Sequence, residues 1–381
     1  MPPSDPTDWL ALHLVSFLNP TPFHRALERW PDPGFLARSA SADDLVEAGL
    51  SPASATRVVA ERASLDRRVA RELDEARRLG IVLDTLVDPA FPETIAALND
   101  APFVLYRRGT LGEGIVRIAI VGSRRATAYG RRVATEFAHD FARRGVEVVS
   151  GGARGIDTCA HRGTLDGGGR TVAVIGSGLR DPYPPDNREL FERVAASGAV
   201  ISEFPLEVGP RPENFPRRNR LIAALSVAAV VVEAAARSGS SITAGHALDY
   251  GRDVMAVPGP VSSPLSEGCH RLIQQGAKLV QNAEEVLEEL SPLYRAALTP
   301  SSPAAKPPAL PSLTGDEAAV AGLLDDPEPC HIDVLAEKAP FGVGRLQAAL
   351  FSLTLRGVVD ALPGGYYLPR FPNPGRREDR P

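Results

Sequence analysis

The chain of 381 residues carries 42 Lys and Arg against 47 Asp and Glu, a formal net charge of −5, with 44% hydrophobic residues. That length calls for two or three domains with real cores, and the acidic balance excludes a globally basic nucleic-acid coat, leaving only a local patch for such contacts. Cys159, Cys269 and Cys330 are far apart without C-x-x-C spacing, which argues against a zinc site and a disulfide framework.

Residues 8 to about 80 read as helical. Asp8-Trp9-Leu10 opens an apolar helix ending near Asn19-Pro20, and Ser41-Ala-Asp-Asp44 is a helix start with acids in its first turn. Leu45–Leu50 followed by Ser51–Ala55 resembles two short helices joined by a tight turn, so residues 1–85 are expected to form an N-terminal helical domain, SAM- or helix-hairpin-helix-like. The usual glycine pair of that hairpin is missing, and both packing and DNA contact stay open for it.

From about residue 115 strands alternate with helices. Strands are predicted at Ile115–Val121, Val146–Val149, Thr171–Ile175, Ala199–Ser202, Val227–Val232 and Asp253–Val257, with Phe103–Tyr106 as an edge strand, Lys278–Val280 as a short last strand and Glu284–Leu290 as a closing helix. The alternation implies an α/β fold, an extended Rossmann-like doubly wound sheet over residues 86–298. Residues 299–312 are a Pro-rich linker; three helices and a hairpin over 313–370 outline a winged-helix-like domain; residues 371–381 read as a disordered tail. No run reaches the roughly 18 uncharged apolar residues that cross a bilayer, and no secretory leader is visible, so a cytoplasmic location without membrane contact is expected.

The chemistry concentrates in the α/β region. Arg211-Pro-Glu-Asn-Phe-Pro-Arg-Arg-Asn-Arg220 sets four arginines, an aromatic ring and two amides against one acid, and reads as a loop feeding a helix at Leu221. Guanidinium groups fork onto phosphate oxygens and an aromatic ring offers a face to an unpaired base. Four glycine turns lie at predicted strand ends: Val121–Arg124, Ser150–Asp157, Ile175–Gly178 and Ser238–Thr243. Glycine there lets backbone N–H groups approach an anion. With Arg124, Arg154, Arg217 and Arg218 interspersed, the turns point to an extended phosphate surface.

Other chemistries fit poorly. The first turn is G-S-R-R-A-T rather than G-x-G-x-x-G, and there is no G-x-x-x-x-G-K-[ST], so neither NAD nor ATP is supported and no cofactor is expected. Asp157 and His161 share a helix face, which helix capping and a buried, hydrogen-bonded histidine explain. Glu203 and Glu233 at strand ends read as salt-bridge partners, and no nucleophile, base and oxyanion set emerges.

Together the motifs resemble one family, DNA-processing protein A, also called Smf. The resemblance rests on Val121–Gly130, Ser150–Asp157 with Ala160-His161, Tyr183–Asn187, Ser202–Pro205, Asn214–Ile222, Val232–Ala234, Ser238–Ala244, Ala256–Gly259 and Gly268–Ile273 with Gly276-Ala277. It implies a non-enzymatic single-stranded-DNA-binding protein of natural transformation, which protects incoming strands, bridges them and helps load the RecA recombinase. On that reading Arg124, Arg217 and Arg218 contact phosphates, Gly151 and Gly152 offer backbone N–H groups, Phe215 stacks on a base and Asn219 makes a polar contact. A nucleotide phosphoribohydrolase of related fold is the alternative, but it needs a glutamate in the Gly-Gly turn that Ser150–Asp157 lacks. Gly268–Val280, with His270, Leu272, Ile273 and Leu279, suits either a homodimer contact at a sheet edge or packing under the closing helix; the resemblance favours the dimer.

Overall fold

The structure, a computed structural model, describes residues 5–236, 238–298, 313, 315–324, 329–356, 358–362 and 364–369. Its contacts fall into two compact units, residues 1–301 and 302–381. The linker expected at 299–312 and the tail expected at 371–381 lie outside the described residues.

The first unit opens with five helices: α1 (Pro6–Ser16), α2 (Thr21–Arg29), α3 (Pro33–Arg38), α4 (Ala42–Glu47) and α5 (Pro52–Leu79). Asp5, Asp32, Ser41 and Ser51 each accept a hydrogen bond from a first-turn backbone N–H, which fixes where α1, α3, α4 and α5 start. In α5, Ala55, Val58, Leu65, Val69 and Ala76 recur at helical spacing on the buried side, and Gly80 at φ +64° ends the helix. The two short helices read from residues 45–55 are a six-residue α4 and the start of this 28-residue helix.

The sheet region contains β1 (Val82–Thr85), α6 (Glu93–Ala96), β2 (Val104–Gly109), β3 (Arg117–Gly122), α7 (Ala128–Arg143), β4 (Glu147–Ser150), α8 (Ile156–Asp166), β5 (Thr171–Val174), α9 (Arg188–Ser197) and β6 (Ala199–Ser202). It continues with α10 (Asn214–Leu225), β7 (Ala228–Val232), α11 (Gly239–Asp249), β8 (Asp253–Ala256), α12 (Glu267–Gln274), β9 (Lys278–Leu279), α13 (Ala283–Glu289) and α14 (Pro292–Ala296). Nine strands pair in the order β1-β2-β6-β5-β4-β3-β7-β8-β9. From β6 to β9 all are parallel, and β4, β5, β6 and β7 are buried along their whole length, as strands covered on both faces must be. The sheet is mixed rather than purely parallel, because β2 runs antiparallel to both β6 and β1. The predicted strand at Phe103–Tyr106 is therefore not an edge. β1 holds the edge, pinned by Arg107, whose Nε donates to Asp84 Oδ2 at 2.5 Å and whose Nη2 donates to Oδ1 at 2.8 Å.

The N-terminal helices share one continuous core with the sheet. Trp9, Leu10, Leu65 and Val69 belong to the same buried cluster as Phe103, Tyr106, Ile175, Phe191, Val200 and Leu206. Polar links reinforce it: His13 Nε2 donates to the Glu203 carbonyl at 3.0 Å, and Glu72 Oε1 accepts from Leu206 N at 2.6 Å. No break between cores falls at residue 85.

The second unit holds α15 (Gly315–Leu323), β10 (Cys330–His331), α16 (Ile332–Lys338), α17 (Val343–Leu355), β11 (Val359–Leu362) and β12 (Tyr366–Pro369). The strands pair in the order β10-β12-β11 around a core of Val320, Leu335, Leu346, Leu350, Leu353 and Val359, the three-helix-and-hairpin outline of a winged helix. Both arginines of its third helical segment are tied down, Arg345 by Asp316 and Arg356 by Glu317.

Candidate nucleic-acid interface

The chain builds β3, β4, β5 and β6 outward in one direction, then returns to place β7 on the other side of β3. Helices leaving β3 and β7 diverge at that reversal and open a crevice beyond the strands' carboxyl ends. A pocket of about 490 Å³ occupies it, lined by residues of the β3–α7 turn (Gly122, Ser123, Arg124), of α10 (Phe215, Arg218, Asn219) and of the start of α11 (Ser238, Gly239, Ser240).

Local chemistry holds these turns together. Glu233, at the end of β7, takes the left-handed conformation (φ 53°) despite its side chain; its carbonyl accepts from Ser123 N at 2.7 Å and its Oε2 from Thr127 N at 2.9 Å. Backbone strain of this kind costs on the order of 1–3 kcal/mol and persists only where the surroundings fix it. Gly155 (φ 79°) lies so close to the same turn that a Cβ would sit 2.2 Å from Ser123 O.

The arginine-rich segment is helical from its start. α10 begins at Asn214, with Pro216 tolerated in the first turn, where its missing N–H is not needed. Phe215, Arg218, Asn219 and Ile222 therefore recur at i, i+3, i+4 and i+7 and all line the pocket. Half-buried Phe215 packs over Gly176, where a Cβ would lie 2.9 Å from its ring, and sits 5.9 Å from Tyr183. The Arg124 guanidinium lies 4.7 Å from the Phe215 ring centroid, and Arg124 is exposed.

Arg218 and Asn219 are struts at the pocket floor. Arg218 Nη1 donates to Gly151 O at 2.5 Å and to Val174 O, and Asn219 Nδ2 donates to Gly239 O at 3.0 Å, so three strand exits are locked to one helix. Burial pulls the Arg218 pKa down to about 10, against the pull of Asp157, and the group stays cationic at neutral pH. Burial pushes the Asp157 carboxyl up, opposed by Arg218. Gly151 separates the two: a Cβ there would lie 2.7 Å from Asp157 Oδ2 and 2.8 Å from Arg218 Nη2. The ionisable side chains lining the pocket are Arg124, Arg218 and Asp157, a cationic balance.

Thus Arg124, Phe215, Arg218 and Asn219 are brought together, while Gly151 and Gly152 sit behind the wall. The Gly151 carbonyl serves Arg218, and the Gly152 carbonyl accepts from Asn187 Nδ2 at 2.9 Å. Arg217 points elsewhere. Its Nη2 donates to Glu203 Oε2 at 2.9 Å and its guanidinium lies 5.7 Å from the Phe204 ring. Sequence reading left out Tyr183 and the hydroxyls of Ser238, Ser240 and Thr243; the Tyr-Pro-Pro turn and the Ser238–Thr243 turn were their signals.

The acids considered for catalysis are committed: fully buried Glu203 to Arg217 and Arg220, Glu233 to the Thr127 backbone and hydroxyl rather than to an arginine. His161 is buried, its Nδ1 donating to Thr171 Oγ1 at 2.8 Å, and burial lowers its pKa to about 3. Among the described residues, no helix is long and apolar enough to cross a membrane, and no group of three or more His, Cys, Asp or Glu could hold a metal.

At the far sheet edge, β9 leaves Leu279 40% exposed. Half-buried His270 bonds the Gly259 carbonyl at 3.0 Å through Nε2. Half-buried Leu272 and Ile273 pack against the cluster that holds Val254 and Ala256 of β8, whereas α13 contributes Val286 and Leu287 to a different cluster.

Fold and pocket define the class: a doubly wound α/β protein with an anion-suited crevice at the switch point of its sheet, joined to a winged helix. The chain belongs to the DNA recombination-mediator protein A (DprA/Smf) family, whose sequence model matches residues 83–291, with the DprA winged helix domain matching 304–365. It is 42% identical over 283 residues to Protein Smf of Escherichia coli, covering 72% of this chain and 74% of that protein. The X-ray structure of DNA processing protein A from Streptococcus pneumoniae superposes with a TM-score of 0.66 at 32% identity, covering 76% of this chain and 99% of that one. A Helicobacter pylori DNA processing protein A structure, described for its single-stranded DNA binding mode, matches at 29% identity over 54% of this chain and 93% of its own, with a TM-score of 0.48.

Proposed function

We propose that this chain binds single-stranded DNA in the switch-point pocket, as a recombination mediator without catalytic activity of its own. The observation that carries the reading is the mouth of the pocket, where exposed Arg124 lies over Phe215 above a wall of hydroxyl side chains. A strand can place a base against this aromatic and a phosphate against the guanidinium, a combination that tolerates any sequence and requires an unpaired base. Arg218 adds buried positive charge to the floor, and Asn219 holds α11 in place beside it.

The proposal extends to protection of strands and loading of the RecA recombinase, a reading supported by the family's description as a recombination mediator. Strand bridging requires more than one pocket, and a homodimer through the β9 edge around Leu279, with His270 and Leu272 behind it, supplies two. The test is fluorescence anisotropy with labelled oligo-dT and a matched duplex at equal salt. Tighter binding to the single strand is expected, and equal affinity for both forms would sink the reading.

A further inference from the structure

The pocket does not exhaust the unpaired positive charge on this face. Arg124 and Arg125 are both exposed on the β3–α7 turn, where Arg125 N donates to Ser123 Oγ at 3.1 Å. Exposed Arg131, one turn into α7, folds back so that its Nε donates to Ala126 O at 3.1 Å, setting its guanidinium at the base of the same turn. The start of α8 abuts that turn as well, through Ile156 N on Ser123 O at 3.1 Å.

From there α7 and α8 run side by side. Their backbones touch at Gly163, where a Cβ would lie 2.4 Å from Thr135 O. One turn earlier on each helix stand Arg131 and Cys159, and the half-buried Cys159 thiol lies within electrostatic reach of both Arg131 and exposed Arg162. Neighbouring cations have carboxylates: Arg132 has Glu136, Arg154 has Asp186 and Arg193 has Asp166. Among the described residues, no carboxylate lies within ion-pair distance of Arg124, Arg125, Arg131 or Arg162. On a chain of net charge −5, four exposed guanidiniums without an ion-pair contact, on the β3–α7 turn and the adjoining turns of α7 and α8, favour an anion that runs along them.

We infer that the groove between the first two turns of α7 and of α8, flanked by Arg125, Arg131 and Arg162, carries the sugar–phosphate backbone of the bound single strand beyond the nucleotide seated on Phe215. The inference rests on the pocket reading for its starting point, but its contacts are separate. The groove has no aromatic side chain among these residues, so it takes backbone without taking bases, and it adds affinity only to strands long enough to leave the pocket.

The test compares the parent with the triple variant Arg125→Ala, Arg131→Ala, Arg162→Ala, using an oligo-dT of about six nucleotides and one of about 25, across a salt series. The variant should bind the short strand within about twofold of the parent but lose the extra affinity for the long one. Its slope of log affinity against log salt should fall by about two for the long strand alone, at about 0.7 per phosphate contact. The triple lysine variant should restore that slope, since counterion release counts charge. An alanine variant that binds the long strand with the parent's affinity and slope overturns the inference. A parent that fails to bind the short strand but binds the long one, with loss in the variant, overturns the pocket reading and leaves the groove standing.

Discussion

Arg124 and Arg217 are equally attractive phosphate ligands in the sequence, and the structure separates them. Arg124 is exposed, lies over Phe215 and has no carboxylate partner among the described residues, whereas Arg217 is bonded to the buried carboxylate of Glu203. Arg124→Ala should therefore lower the salt slope of single-strand binding by about 0.7, one phosphate's worth of counterion release. Between about 50 and 200 mM salt the parent should lose about two- to threefold more affinity than the variant. Phe215→Ala should cost about 1–3 kcal/mol, or about 5- to 150-fold in Kd, with the slope nearly unchanged, because a stacking face carries no charge. Arg217→Ala should leave the slope alone and cost stability instead. It strips one of two guanidiniums from a fully buried carboxylate, leaving Arg220, and losing a charged partner costs about 1–3 kcal/mol. Anisotropy titrations across the salt series, with urea unfolding of each variant, read both quantities. An Arg217→Ala protein of parental stability whose salt slope falls as far as that of Arg124→Ala would refute this division.

Other outcomes follow from buried groups and close contacts. Burial holds the pKa of His13 and of His161 at about 3, so the folded chain stays neutral at sites the unfolded chain protonates below its ordinary value; stability is full above about pH 6.5 and falls by about 2 kcal/mol per histidine on going down to pH 5. Urea titrations at several pH values should show that slope halved in His161→Asn, and an unchanged slope would refute the assignment. Gly155→Ala forces a Cβ against Ser123 O at a positive φ, so it should lower thermal stability and weaken single-strand binding together; normal binding in this variant would show that the turn is not held as described. Leu279→Arg should convert a dimer into a folded monomer that still binds short oligo-dT, and a parent that sediments as a monomer at roughly tens of micromolar would rule out that dimer.

Much of the architecture was legible because parallel strands buried on both faces read as apolar runs, and because glycine is needed where a backbone turns tightly at a strand exit. The pocket's position followed from those turns. The facing of α10 did not, since its proline-flanked opening reads as loop up to Leu221; once Asn214 is the first helical residue, the 3.6-residue period sends Phe215, Arg218 and Asn219 one way and Arg217 another. β1 is not legible in the sequence because Asp84 breaks its apolar pattern, and its partner Arg107 lies 23 residues away. The shared core of the N-terminal helices and the sheet was equally hidden, because composition reports that a helix has an apolar face but not what covers it.

That shared core sets an order on the birth of the protein. Synthesis runs from α1 toward the sheet, yet the His13 of α1 bonds a carbonyl 190 residues later, at Glu203, and Trp9 and Leu10 wait for Val200 and Leu206 to complete their surroundings. While the residues between α1 and Val200 are being made, an apolar surface stands open with nothing yet synthesised to close it, a state in which nascent chains depend on chaperones or aggregate. The strand exit that closes that surface also leads into α10, so the early helices are covered by the same segment that supplies one wall of the pocket, which the start of α11 completes later.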